Sequence, residues 1–95
     1  MNQQEDVLQM ANEIEEQILA DYTLKKREKV KSLLSELTLE HVMARSEWNL
    51  LNARKAILTL ADGQLNEIPK LVKAAKIDFR DVIYWVWQKN NPEKK

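Results

Sequence analysis

Between Met1 and Asp62 the chain has neither glycine nor proline, and Gly63 is its only glycine. Glycine and proline are the strongest local breakers of regular structure, and a sheet protein needs turn residues every few positions. A run this long, rich in Leu, Glu, Lys, Gln, Ala and Met, therefore predicts helix. Ninety-five residues suit one domain, here placed at 1–91 with residues 92–95 as a disordered tail.

Apolar spacing divides the run. Val7, Met10, Ala11, Ile14 and Ile18 recur three and four apart, the signature of one helix face, which Leu19 and Tyr22 widen. Charge interrupts it from Lys25 to Lys29, and the pattern resumes at Val30, Leu33, Leu34 and Leu37. The preferred reading is one long, bent helix from about Gln4 to Glu36. The alternative is a fresh start at Thr23 after Asp21.

Thr38 is a candidate N-cap, with Glu40 in the positive first turn and Ser35 as a competitor. A second long helix is then expected from Leu39 to Ala61. Met43, Leu50 and Ile57 form its heptad line, and small residues at Ser46 and Ala53 admit a close neighbour. Asp62-Gly63 ends it, Gly63 supplying the left-handed C-cap. A short helix follows, with Asn66 as N-cap, Pro69 in its first turn, and Ile68, Leu71, Val72 and Ala75 facing inward. The last helix starts at Asp78, with Asp81 in its first turn and Ile77 and Val82 spaced as a hydrophobic staple, and reaches about Gln88. The expected fold is all-α: a long antiparallel helical hairpin, then two short helices, assembled as a dimeric bundle.

Composition narrows the function. No cysteine is present, so neither a disulfide framework nor a thiolate metal site can form. The opening MNQQED lacks the apolar core of a signal peptide, and no apolar stretch approaches a membrane span. The expectation is a cytoplasmic protein without a membrane partner. His41 is the single histidine and has no carboxylate or second histidine three or four residues away, a poor start for a metal site. The serines have no matching base, and one glycine cannot build a phosphate loop. No enzyme activity, cofactor or metal is expected.

Fifteen acidic and fifteen basic side chains balance, which argues against a dedicated nucleic-acid binder. Their placement is uneven. Residues 1–21 hold six acids and no base, while 25–31 hold five bases against Glu28. Two solvated faces account for this; an acidic arm lying on the basic belt of another copy is the sharper reading.

Two function classes remain. The first is a self-associating interaction or regulatory module. The last helix is apolar almost all round: Phe79, Val82, Ile83 and Val86 form one face, Tyr84 and Trp87 another, with Trp85 between and Trp48 as a further contact. Leu50, Ile57, Trp85 and Trp87 are the candidate self-association residues of a homodimer. The second is a DNA-binding regulator using a helix-turn-helix-like segment at 68–88, with Leu71, Ala75, Ile77, Val82 and Trp85 inside. Lys70, Lys73, Lys76 and Arg80 would meet phosphates. Asp78, Asp81 and three bulky neighbours suit base edges poorly, and Lys76 stands where that turn prefers glycine.

Overall fold

In the computed structural model, which describes residues 3–91, the described residues form helices and no strand. Five α-helices pack together: α1 (Gln3–Asp21), α2 (Leu24–Ser35), α3 (Glu47–Ala61), α4 (Ile68–Ile77) and α5 (Phe79–Asn90). Short 3-10 turns occupy Leu39–His41, Met43–Arg45 and Leu65–Glu67. The tail expected at 92–95 lies outside the described residues.

The single helix expected from Gln4 to Glu36 is broken at Tyr22-Thr23, and its two halves fold back on each other. The Arg27 guanidinium donates to the carbonyls of Tyr22 (2.9 Å) and Leu19 (3.2 Å). Lys31 pairs with Glu15 at 3.3 Å. Residues advancing along α2 thus meet residues receding along α1, which makes the pair antiparallel. α1 has no basic residue in its own last turn, and Arg27 brings one to its negative end from the next helix. A continuous helix over 4–36 would be about 50 Å long, whereas no principal dimension of the protein exceeds 35 Å.

α1 and α3 run parallel, not antiparallel as expected of the hairpin. Asp6 and Trp48 share a small cleft. Glu13 pairs with Lys55, and the Asp21 carbonyl lies 3.6 Å from where a Cβ on Gly63 would stand. The same separation of 42 residues recurs at all three levels. Parallel neighbours need a connection that returns to the starting end, and α2 with the two 3-10 turns supplies it.

The second long helix is also shorter than expected. Thr38 does cap, but it caps a 3-10 turn. Its Oγ1 accepts from the Glu40 N–H, and its own N–H donates to His41 Nδ1 at 3.0 Å, a reciprocal capping box. His41 is thereby a local backbone cap. Ala44 (φ 58°) and Arg45 (φ 49°) then turn left-handed, costing about 1–2 kcal/mol each. Ser46 caps α3 by accepting from the Asn49 N–H at 3.2 Å. Met43, expected on the heptad line, falls outside α3 and is exposed.

α3 is the centre of the fold. It touches α1, α4 and α5, and no residue from Asn49 to Ala61 is exposed. Ala53, Ala56 and Ala61 let neighbours approach its backbone, while Ile57 and Leu58 are fully buried. Around it lie Ile14 and Ile18 of α1, Val30 and Leu34 of α2, Val72 of α4 and Val82 of α5. Ala53 has the expected close-packing role; Ser46 serves instead as a cap.

The remaining ends differ in detail. Asp62 itself takes the left-handed C-cap conformation (φ 50°), and Gly63 continues it at φ 80°. Asn66 lies inside the 3-10 turn before α4 and does not cap that helix, while Pro69 sits in the first turn as expected. Asp78 caps α5 by accepting the Arg80 N–H at 3.0 Å. The Ile77–Val82 staple does not form, because Ile77 is 81% exposed. Leu19, expected to widen the inner face of α1, is exposed too.

Truncating Ile57 to Ala leaves a cavity in this centre, with an expected loss of about 2–5 kcal/mol in urea unfolding. The exposed Leu24→Ala is expected to stay within about 0.5 kcal/mol.

Candidate functional site

The outer face of α5 is built by helical spacing. Phe79, Val82, Ile83 and Val86 turn inward, against the core. That leaves Tyr84 and Trp87, three residues apart, on one outer flank, with Trp85 projecting from the opposite flank. Their rings stack with centroids 5.9 Å apart and planes 14° from parallel. Tyr84 is 54% exposed, Trp85 38% and Trp87 47%. Lys89 reaches the Thr59 carbonyl of α3 at 3.5 Å, and Asn91 Nδ2 donates to the Trp87 carbonyl at 2.8 Å. The aromatic flanks therefore stand on a helix held along its inner face by the core and near its C-terminal end by Lys89.

The four residues expected to mediate self-association separate into two groups. Leu50 and Ile57 are buried in the chain's own core. Trp85 and Trp87 are on the surface. Trp48 makes no ring contact with the α5 aromatics; it lines the hollows beside the first half of α1.

The cations expected to meet phosphates are mostly occupied. Lys70 pairs with Glu67 (3.3 Å) and Lys76 with Glu36 (3.7 Å). The Arg80 guanidinium forks onto both oxygens of Asp78 at 2.9 Å. The fork holds the Asp78 carboxyl below the usual carboxylate range and raises Arg80. Lys73 is exposed.

The acidic arm also has partners within the chain. Glu15 meets Lys31 and Glu13 meets Lys55. The hydrogen bond and charge of Lys55 hold the Glu13 carboxyl below its usual range.

A surface feature not read from the sequence is the groove between the first half of α1 and the start of α3. It has a volume of about 690 Å³ and is lined by Val7, Leu8, Ala11, Trp48 and Leu51 together with the polar Gln4, Arg45, Ser46 and Glu47. Ala11 and Leu51 also line a second hollow of about 290 Å³ between α1, α2 and α3, where Arg54 emerges. The sequence signal was the doubling of the α1 stripe by Leu8, which becomes a groove only because α3 runs parallel beside it.

Among the described residues, no group of three or more His, Cys, Asp or Glu side chains is placed to hold a metal ion. No described helix is long and apolar enough to cross a membrane. No protein-family model, curated protein or solved structure matches this chain.

The Glu13–Lys55 pair joins α1 to α3 and sets a pH dependence. Because the folded pKa of Glu13 lies below its unfolded value, the pair's contribution is present above the ordinary carboxylate pKa. It fades as pH falls through the folded value. Urea titrations from neutral to acid pH are expected to show a shallower loss of stability in Glu13→Gln than in the parent chain.

Proposed function

We propose that this chain is a non-enzymatic interaction module that self-associates through the outer face of α5. The observation that carries the reading is the exposure of Tyr84, Trp85 and Trp87 on a helix already anchored along its other side. Exposed aromatic clusters of this kind favour interfaces, where Trp and Tyr bury large area at little rotameric cost. A two-fold arrangement with α5 against α5 pairs the same patch with itself and closes at a dimer. It replaces the four-helix interface expected around Leu50 and Ile57, which are committed to the core of one chain.

The acidic and basic segments play a smaller part in this reading than in the arm-on-belt alternative. Glu15 and Lys31 are paired inside one chain, so their charges are already matched. The duplex-binding alternative draws less support still. Three of its four cations face carboxylates, and Ile77, which such a motif would bury, is 81% exposed.

Sedimentation equilibrium at micromolar concentration is expected to return the mass of a dimer. Trp87→Ala is expected to weaken the dimer by about thirtyfold, as for a hot-spot residue worth about 2 kcal/mol, with helix content unchanged. A parent chain that stays monomeric throughout that range, or a Trp87→Ala dimer as tight as the parent, contradicts the proposal.

A further inference from the structure

The basic segment at 25–31 divides by what its side chains reach. Arg27 is bound to carbonyls of α1, and Lys31 is paired with Glu15. Lys25, Lys26 and Lys29 are exposed, and among the described residues their ammonium groups have no ion pair or hydrogen bond. Two of these three, Lys26 and Lys29, lie three apart on one face of α2 and line a single hollow of about 430 Å³. Its other side is the segment that follows α3, where Asp62 and Gly63 turn left-handed and α4 packs against α2. Gly63, Gln64 and Asn66 line it there, and the two side-chain amides have no partner among the described residues. Leu33, Leu65 and Pro69 add apolar surface. No acidic side chain lines the hollow. Glu67 is taken up by Lys70 at 3.3 Å, and Asp62 is not within ion-pair distance of either lysine.

Two neighbouring cations, two free carboxamides and no acid describe a site for an anion of more than one charge. A phosphomonoester carries nearly two charges at neutral pH and three strong acceptor oxygens, enough for both ammonium groups and an amide N–H together. A carboxylate carries one charge and two oxygens. We propose that this hollow binds a small phosphomonoester, its phosphate between Lys26 and Lys29 and a compact apolar group against Leu33, Leu65 and Pro69. The volume falls in the range of small-molecule sites, which combine apolar walls with a few placed polar groups. No residue of α5 lines the hollow, so the ligand site and the self-association face are separate. The basic segment thus has two uses: Arg27 and Lys31 fasten α2 to α1, while Lys26 and Lys29 face outward to a ligand.

The test is titration of the full chain with phenyl phosphate, above the second phosphate pKa of about 6, followed by amide NMR shifts and by calorimetry. Saturable binding is expected, with shifts at Lys29, Gly63, Gln64 and Asn66. Benzoate, phenol and inorganic phosphate are each expected to bind at least about tenfold more weakly, because each lacks either the doubly charged head or the apolar group. The double variant Lys26→Gln, Lys29→Gln is expected to lose at least about tenfold in affinity with helix content unchanged, since both side chains are exposed. Lys25→Gln is the control: it removes an equally free lysine that does not line the hollow, and is expected to bind as the parent does. Absence of saturable phenyl phosphate binding overturns the proposal. So does benzoate, phenol or inorganic phosphate binding equal to phenyl phosphate, or shifts confined to Tyr84 and Trp87. A loss in Lys25→Gln as large as in the double variant points to diffuse surface charge and overturns it equally.

Discussion

Enclosing α3 is the constraint on which the other elements depend. From Asn49 to Ala61 no residue falls in the exposed class, so neighbours cover most of the circumference of this helix. A helix of that kind cannot be stabilised by one amphipathic partner; its apolar surface must be covered by several elements at once. In a chain of 95 residues the cover comes from short helices, and each short helix needs its ends satisfied. Two arginines do part of that work from neighbouring elements: Arg27 of α2 at the end of α1, and Arg54 of α3 beyond the end of α2. The Arg27 bonds are charge-assisted and lie at the negative end of α1, where a cation is favoured twice over.

The parallel relation of α1 and α3 follows from the same constraint. An αα-hairpin made of α1 and α2 brings the chain back to the start of α1, and Thr38 to Ser46 then carries it across to the start of α3. That crossing has no long regular element. It is held by the Thr38–His41 box and the Ser46 cap, and it contains Ala44 and Arg45 in left-handed conformation. The strain is tolerated because Val42 before it and Leu50 after it are buried. The parallel pairing leaves the start of α1 beside Trp48, which opens the groove; the stacked Tyr84 and Trp87 are a consequence of the α5 register alone.

Much of this was legible in local sequence, and the part that was not has definable causes. The all-α class, the caps at Thr38 and Asp78, the stop at Asp62-Gly63 and the inner face of α5 all rest on interactions between residues close in the chain. The break at Tyr22-Thr23 does not. Thr23 makes no side-chain capping bond, and Leu24-Lys25-Lys26-Arg27 has good helix propensity, so nothing local forbids continuation. The turn is imposed by the burial of Tyr22 and by Arg27 reaching back across it. Burial raises the Tyr22 pKa, helped by the carboxylates of Asp21 and Asp62, with the Gly63 N–H acting in the opposite sense. The 3-10 stretch was hidden for a similar reason, since alanine at position 44 is the best helix former placed in a conformation helices exclude. Of the candidate site, Trp85 and Trp87 were readable as surface aromatics. Leu50 and Ile57 were not separable from surface positions, because a stripe buried by its own chain and one buried by a partner look the same in sequence.

The direction of α1 relative to α3 is the claim that separates this architecture from a simple long hairpin. The chain has no cysteine, so pairs of cysteines can be introduced cleanly for spin labelling at exposed positions. The measurement is the electron–electron distance between labels at Glu5 and Glu47 compared with that between Glu5 and Gln64. Parallel helices predict the Glu5–Glu47 distance to be the shorter, by roughly 15 Å or more given about 1.5 Å of rise per residue along α3. A shorter Glu5–Gln64 distance would mean that the two helices run antiparallel, and this account of the fold would be wrong.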